Sequence, residues 1–272
     1  MSRELEPGRL YRMPVHFGPS PGPRERPDGG RLDPDVTREA LRVSVSFRTR
    51  AQALTSILPP GFALDGEPVA RLEASYMSGI PWLAGRGYNT FGVTVPAVWE
   101  GQETVAGDLV AVLFENLADP IITGREELGW NKLWCELPDL ERVADAATCR
   151  ASWLGFQFAR VQLSGLRPVD VSPPVAAGRP RLSYKYIPAS GDWGSADVAY
   201  ATVVPVQDAG AQVTEMWRGD ATIEIAEARW DDLPTLFRVV NGLAALPRLE
   251  VLDATLTRAL GSDDLYTIRK LS

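Results

Sequence analysis

Short segments in which apolar and polar residues alternate follow one another along most of this 272-residue chain. The first covers residues 41–47, where every second residue is apolar. A period of two is typical of a β-strand buried on one face, and few segments show the longer period of an amphipathic helix. We therefore predict an α+β fold that is mainly β, with an antiparallel sheet that closes or folds on itself and a few short helices.

Eight further segments carry strand signals with turns between them, namely 69–77, 91–99, 109–115, 151–163, 181–187, 198–206, 212–217 and 221–227. Thr49 is predicted to cap a short helix that runs to Leu58 and ends before Pro59-Pro60. A second helix is predicted after Pro234, since Leu236, Val239, Val240 and Leu243 recur at helical spacing.

The N-terminal residues 1–40 differ in composition from the rest of the chain. Residues 18–34 are rich in proline and glycine, which disfavour both helix and strand. This region is predicted to be an irregular arm. No comparable linker divides residues 41–272, which we expect to form a single domain.

The composition excludes several classes of function. The net charge of −7 and the pI of about 5.0 argue against binding to nucleic acid. Cys135 and Cys149 are the only cysteines and His16 is the only histidine, which is too few for a disulfide framework or a multi-histidine metal site. Neither a signal peptide nor a membrane-spanning segment is recognisable. We expect a cytoplasmic protein that acts on a small molecule without a metal or a cofactor.

Lysine is scarce in this chain, because only Lys132, Lys185 and Lys270 occur among 28 basic residues. Lys132 stands between Trp130 and Trp134. An amine can lose its proton when it is desolvated, whereas a guanidinium stays charged. Lys132 is therefore a candidate Schiff-base nucleophile. The alternative is a lysine whose stem lies along apolar surface while its ammonium group reaches water.

Several segments, taken in order over about residues 40–250, resemble the acetoacetate decarboxylase family. They are Phe47-Arg48-Thr49, Leu58-Pro59-Pro60-Gly61-Phe62, Arg71-Leu72-Glu73-Ala74, Tyr88, Gly92 before Val95-Pro96, the run from Asp119 to Glu126 with Gly124-Arg125-Glu126, Lys132, Tyr184-Lys185-Tyr186-Ile187-Pro188 and Trp217-Arg218-Gly219. The resemblance implies a β-rich cone or barrel whose interior holds the lysine. It also implies enzymes that form a Schiff base with carbonyl substrates, and a homo-oligomer.

The resemblance assigns roles to individual residues of this chain. Lys132 falls where the family has its Schiff-base lysine, Arg48 matches an arginine that points into the pocket, and Glu73 matches a pocket carboxylate. These three are the predicted catalytic residues. The predicted substrate-binding residues are Tyr88, Thr90, Arg125, Glu126, Trp130 and Trp134.

This chain departs from the family pattern at three positions close to the predicted site. The family's second lysine, which follows the first, is Leu133 here, and the preceding proline is Asn131. Thr90 stands where the family's loop glutamate is expected. The resemblance therefore implies the fold more firmly than acetoacetate decarboxylation itself.

Two functions remain open from the sequence. In the first, the chain is a Schiff-base-forming lyase in secondary metabolism that decarboxylates an oxo acid or β-dicarbonyl compound, or carries out an aldol and dehydration reaction. This chemistry needs a neutral amine, whereas an unperturbed lysine has a pKa of about 10.4. In the second, the same barrel is a non-covalent cyclase or binding pocket for a polyketide-like molecule.

Overall fold

The computed structural model describes residues 4–20, 22–23, 25–32, 38–171, 178–207, 211–262 and 265–272. Its strands are β1 (Glu39–Arg48), β2 (Phe62–Leu64), β3 (Val69–Ser78), β4 (Tyr88–Glu100), β5 (Thr104–Glu115), β6 (Lys132–Trp134), β7 (Glu141–Val143), β8 (Ala146–Trp153), β9 (Phe156–Val169), β10 (Arg181–Pro188), β11 (Ala196–Val204), β12 (Gln212–Ile225), β13 (Glu250–Leu260) and β14 (Arg269–Lys270). The α-helices are α1 (Ala51–Thr55), α2 (Ala118–Thr123) and α3 (Phe237–Ala244). A π-helical turn, Gly124–Leu128, follows α2 directly.

Within the described residues, these strands form one large sheet. The hydrogen-bonded order is β14-β11-β10-β5-β4-β3-β1-β13-β12-β9-β8-β7, with β2 paired to β4 and β6 paired to β5. All pairs are antiparallel except β5 with β6 and β5 with β10. The prediction of a mainly β, mainly antiparallel α+β fold is confirmed. Hydrogen bonds do not close the sheet between its two end strands, β14 and β7.

The main apolar core lies on one face of the sheet because the strands alternate. On β1 the side chains buried on this face are Val43, Val45 and Phe47, and neighbouring strands add apolar side chains on the same face. These include Leu72, Ala74, Phe91, Val93, Val112, Phe114, Val161, Leu163, Ala254 and Leu256. Each large apolar side chain that is fully buried contributes about 1.5–3 kcal/mol.

The opposite face of β1, β3, β4, β5 and β6 carries polar side chains, and we call it the polar face. In the register of these strands, two adjacent rows of side chains lie on it. Its members are Arg42, Ser44, Glu73, Ser75, Thr90, Gly92, Leu113, Glu115 and Lys132. One face is apolar and the other polar because apolar and polar residues alternate along the strands, as in residues 41–47.

Two strand predictions were wrong in their boundaries. Residues 151–163 are not one strand, since a turn at Leu154-Gly155 separates β8 from β9. Both turn residues have positive φ, 45° and 90°, which is typical of a two-residue hairpin. Residues 212–217 and 221–227, predicted as two strands, form the single strand β12 with register shifts near Thr214 and Gly219.

The helix predictions were correct in place and wrong in extent. Helix α1 ends at Thr55, and its N-cap is Arg50 rather than Thr49. Helix α3 begins at Phe237, three residues after Pro234. The long strand β13 was not predicted at all, although it joins β1 to β12 in the middle of the sheet. Among the described residues, no helix is long and apolar enough to cross a membrane.

The predicted N-terminal arm contacts the body of the protein through Arg12. Residues 1–3, 21, 24 and 33–37 of the arm lie outside the described residues. The Arg12 guanidinium donates to Thr123 Oγ1 at 2.8 Å and forms an ion pair with Glu127 at 2.6 Å. The arm therefore reaches the segment that connects β5 to β6.

Candidate active site

Lys132 is the first residue of β6, and its side chain is buried on the polar face. Its Nζ lies 2.8 Å from Glu115 Oε1 and donates a hydrogen bond to the carbonyl oxygen of Pro120 at 3.0 Å. The Trp130 ring centroid is 5.5 Å from the same nitrogen. Only 5% of Lys132 is exposed, so the lysine does not extend its ammonium group into water. The snorkelling alternative is thereby excluded.

Glu115 ends β5 and is the partner that the sequence analysis did not identify. It is 1% exposed, and its Oε2 atom is buried with no hydrogen-bond partner among the described residues. Burial raises the pKa of Glu115, and the charge of Lys132 opposes that shift only in part. A buried carboxyl group with one free oxygen therefore lies directly against the amine.

The segment between β5 and β6 packs tightly around the Lys132 side chain. A Cβ atom on Gly124 would overlap Lys132 Cδ and Cε and would lie 2.7 Å from Nζ. Glycine at the start of the π-helical turn therefore permits this close approach, and a larger residue would displace the lysine side chain. Arg125 donates to the backbone carbonyl of Lys132 at 2.9 Å. Short π-helical segments are frequent at functional sites.

Strands β10 and β11 hold the end of the π-helical turn in place. Ser183 donates to the carbonyl of Gly129 at 2.7 Å, and Thr202 donates to that of Leu128 at 3.0 Å. Lys185 donates to the carbonyl of Glu126. These side chains satisfy the backbone oxygens that a helix end leaves free. The backbone leading into Lys132 is therefore fixed from a second part of the sheet.

The side chain of Asn131, the residue before Lys132, holds the backbone at the start of β6 in place. Its side-chain amide donates to the carbonyls of Val110 at 3.0 Å and Ala111 at 3.3 Å. These carbonyls lie at the bulge in β5, where the register with β4 shifts by one residue. The asparagine that replaces the family's proline thus ties the start of β6 to β5.

The polar face continues from Lys132 across three further strands to Glu73. Lys132, Leu113, Gly92 and Glu73 are successive partners in the register. Three strand spacings put the Cα atoms of Lys132 and Glu73 about 14 Å apart. Lys132 and Glu73 therefore lie at the two ends of one row, with Leu113 and Gly92 between them.

Glu73 is paired with an arginine on the same face. Arg42 Nε lies 3.3 Å from Glu73 Oε1 and 3.4 Å from Ser75 Oγ. Both charged side chains are 29% exposed, so the pair borders solvent. The arginine that this structure brings to Glu73 is Arg42.

Arg48, the predicted pocket arginine, lies elsewhere. It ends β1, six residues beyond Arg42, and forms ion pairs with Glu67 at 3.0 Å and Glu250 at 3.3 Å. All three side chains are largely exposed. The structure does not bring Arg48 to Lys132, because the register places it at the far end of the strand.

The large side chains beside Lys132 differ in their surroundings, because neighbouring residues of a strand point to opposite faces. Trp130 is buried against Leu128 and Val204, and Leu113 packs against this small cluster. Trp134 lies two residues after Lys132 in register with Glu115 and is 39% exposed. Leu133 points to the other face and packs on the main core. Leu133, which replaces the family's second lysine, therefore does not face the amine.

Tyr88 and Thr90 border Glu115 on the polar face. Thr90 is the direct cross-strand partner of Glu115 and is buried. Burial, together with the Glu115 carboxylate, raises the pKa of Tyr88, so this phenol is neutral. The contact of Glu126 with this region is through its backbone carbonyl, which accepts a hydrogen bond from Lys185. Of the predicted substrate-binding residues, Thr90 and Trp134 are cross-strand partners of Glu115, Trp130 lies beside the Lys132 amine, and Arg125 contacts the Lys132 backbone.

Sequence reasoning missed Glu115 and Arg42 for different reasons. Arg42 lies on the same face of β1 as Arg48, and alternation alone does not distinguish them. Glu115 was predicted as a strand end, but the β5 bulge shifts the alternation along that strand. A buried, paired glutamate is rare, and its position shows only once β5 and β6 are aligned. The described residues contain no cluster of three potential metal ligands.

Comparison with known proteins identifies the relatives of this chain. The model of the acetoacetate decarboxylase family matches residues 12–262. An acetoacetate decarboxylase of Clostridium botulinum (strain Eklund 17B / Type B) is 25% identical over 203 residues, which cover 70% of this chain and 76% of that protein.

Solved structures show the same fold. The acetoacetate decarboxylase of Legionella pneumophila superposes with a TM-score of 0.67 at 20% identity, covering 91% of this chain and 92% of the other. The enduracididine biosynthesis enzyme MppR, complexed with the condensation product of pyruvate and imidazole 4-carboxaldehyde, gives 0.68 at 17% identity, covering 100% and 98%. At these identities the superpositions establish the architecture.

Proposed function

We propose that this chain, which belongs to the acetoacetate decarboxylase family, is a Schiff-base-forming lyase that acts through Lys132. The observation that carries the proposal is the buried Lys132 Nζ, held against Glu115 and the carbonyl of Pro120 beneath the Trp130 ring. A lysine shielded from water next to a carboxyl group of raised pKa is suited to act as a nucleophile.

The substrate class that fits the polar face is a small oxo acid. An iminium formed between Lys132 and a 2-oxo acid acidifies the neighbouring C–H bond and permits aldol addition followed by dehydration. Arg42 provides a cation for the substrate carboxylate. A bound cation stabilises a carboxylate that would otherwise leave as carbon dioxide, so Arg42 favours the aldol and dehydration reaction over decarboxylation. MppR, bound to a condensation product of pyruvate, is a relative in fold whose ligand is consistent with this choice.

The second candidate is a non-covalent binding pocket or cyclase on the same fold. The observation that favours it is the pairing of the Lys132 ammonium with two acceptors, which is also how a structural lysine is satisfied. In this version Lys132 and Glu115 form a structural ion pair, and no covalent intermediate occurs. The two candidates differ in whether Lys132 is needed for turnover.

The same proposal covers the oligomeric state, the metabolic role and the location of the enzyme. We infer a homo-oligomeric enzyme of secondary metabolism in the cytoplasm, which uses no cofactor because the iminium formed on Lys132 provides the electron sink. Light scattering on the purified protein measures the oligomeric state, and a mass of 29.7 kDa, that of one chain, would contradict the oligomer.

The test of the lyase is turnover followed by NMR. The protein is incubated with acetoacetate and, separately, with pyruvate plus an aromatic aldehyde. We expect a dehydrated condensation product from pyruvate and little acetone from acetoacetate. Lys132→Ala and Lys132→Gln should lose the product, while circular dichroism shows that both remain folded. Turnover that persists in both folded variants would contradict covalent catalysis and support the non-covalent pocket.

A further inference from the structure

We infer that Glu115 is the proton carrier of this site: it takes the proton from the Lys132 ammonium and returns it to the hydroxyl group that leaves as the Schiff base forms. The inference rests on the proposed function. It names a catalytic role for a residue that neither the sequence pattern nor the comparisons assign. Glu115 touches the reacting atom itself, since its Oε1 lies 2.8 Å from Lys132 Nζ.

The free oxygen of Glu115 points to a missing donor. Oε2 is buried and accepts no hydrogen bond among the described residues, although an unpaired buried carboxylate oxygen is energetically costly. Its cross-strand neighbour Thr90 does not donate a hydrogen bond to this oxygen. The hydroxyl group of a carbinolamine on Lys132 would supply a donor beside this carboxylate.

The proposed step balances in protons and charge. An N–H bond of the Lys132 ammonium breaks and an O–H bond forms on Glu115, which leaves a neutral amine and a carboxylic acid. The amine attacks the carbonyl carbon, and transfer of a second proton from nitrogen to oxygen gives the neutral carbinolamine. Glu115 then protonates the hydroxyl group, the C–O bond breaks, and water leaves. The products are an iminium on Lys132, a carboxylate on Glu115 and one water molecule.

Burial makes Glu115 suitable for both halves of this cycle. Desolvation by burial is the largest cause of the raised pKa of Glu115, and the nearby Lys132 charge opposes it. A carboxyl group tuned in this way accepts a proton more readily and still releases it in the second half. Glu73, the other carboxylate on the polar face, is partly exposed and lies several strands away.

Replacement of Glu115 separates its catalytic role from its electrostatic one. As a carboxylate, Glu115 also forms an ion pair with the Lys132 ammonium group at 2.8 Å. Glu115→Gln therefore removes an obstacle to the free amine and, at the same time, removes the proton carrier. A residue that only positioned the lysine would affect simple acylation and iminium formation in the same direction.

The experiment compares two reactions of the same amine between pH 5.5 and 9. The first is the initial rate at which pyruvate and cyanoborohydride give a trapped adduct, and the second is acetylation by acetic anhydride. With only three lysines, peptide mass spectrometry measures acetylation of Lys132 against Lys185 and Lys270. For Glu115→Gln at pH 7 we expect adduct formation to fall at least tenfold, the modest end of general acid–base catalysis, while acetylation of Lys132 holds or increases.

The matched control is Glu67→Gln, which removes a surface carboxylate from its pair with Arg48 and should change neither reaction. Glu115→Asp is the second variant, since it keeps the charge but withdraws the carboxylate, and adduct formation should again slow. Circular dichroism and a thermal melt check the fold of each variant. Adduct formation at the wild-type rate in Glu115→Gln or Glu115→Asp would overturn the inference. A parallel loss of both reactions would also overturn it, because that indicates positioning alone.

The wild-type protein distinguishes failure of this inference from failure of the proposed function. If the wild type forms no adduct with pyruvate or acetoacetate, the Schiff-base function itself is contradicted. If the wild type forms the adduct and Glu115→Gln forms it equally fast, the function stands and only the role of Glu115 is lost.

Discussion

At the scale of single residues, the Lys132–Glu115 pair is costly to bury. Removing a carboxylate and an ammonium from water costs several kcal/mol for each ion, and their mutual attraction often fails to recover it. Replacing such a pair with apolar residues of similar size is often neutral or stabilising. Stability alone therefore gives little reason for this pair, whereas a reactive amine beside a proton acceptor gives one.

Arg42 should bind the substrate carboxylate, and Arg48 should not. Arg42 lies on the polar face beside Glu73, while Arg48 is held at the surface by Glu67 and Glu250. Hydrogen bonds to a charged group contribute about 1.5–3 kcal/mol, or about tenfold and more in affinity. Arg42→Ala should raise the pyruvate concentration that half-saturates adduct formation at least tenfold, and Arg48→Ala should leave it within about twofold. The reverse result would return the role to Arg48.

The sequence identified the nucleophile candidate and missed its partner. Lys132 stood out because lysine is scarce and because the family resemblance places a lysine there. Glu115 and Arg42 depend on which strands are neighbours and in what register, and local sequence does not determine either. Glu73 and Arg48 both came from the resemblance. The structure places Glu73 in the same cross-strand row as Lys132, about 14 Å away, and Arg48 at the far end of β1. Their catalytic roles stay predictions.

At the scale of elements, the connection between β5 and β6 builds the site. It combines α2, the π-helical turn and a left-handed Gly129, and it is anchored by Ser183 and Thr202 from β10 and β11. A parallel β5–β6 pair needs a connection that carries the chain back along the sheet, so that both strands run in the same direction. The same connection carries the carbonyl of Pro120 to Lys132 Nζ.

Gly124→Ala should displace the lysine without unfolding the protein. The new methyl group would overlap Lys132 Cδ and Cε, and a displacement of about 1 Å at a reacting group can cost 10²-fold in rate. We expect at least a tenfold loss of adduct formation. The matched control is Gly242→Ala in α3, where a Cβ meets nothing within 4 Å and should stabilise the helix by about 0.5–1 kcal/mol. Wild-type adduct formation in Gly124→Ala would contradict the packing argument.

Most long strands were predictable and most connections were not. Alternation located β1, β3, β4, β5, β10 and β11 because each buries one face. The turn between β8 and β9 was not predicted from the sequence. Leu154 adopts a positive φ that leucine rarely takes, so Gly155 was the only turn residue that the sequence offered there. Strand β6 has three residues, too few for a periodic pattern, although it carries the candidate nucleophile.

At the scale of the whole molecule, the hydrophobic core and the candidate site lie on opposite faces of one sheet. Its apolar face holds the main core, and its polar face holds the candidate site, so changes to the site leave the core contacts in place. The arm adds a contact over a long sequence distance, since Arg12 pairs with Glu127 beside the π-helical turn. The entire chain contains three lysines, so an adduct on Lys132 is simple to distinguish from one on Lys185 or Lys270.

The most direct measurement is the mass of the intact protein after incubation with pyruvate, and separately with acetoacetate, in the presence of cyanoborohydride. The account predicts a single adduct of substrate size, mapped by peptide digestion to Lys132 rather than to Lys185 or Lys270, and absent from Lys132→Ala. An adduct on Lys185 or Lys270 instead, or an unmodified wild-type protein with both acids, would contradict a Schiff-base lysine at position 132.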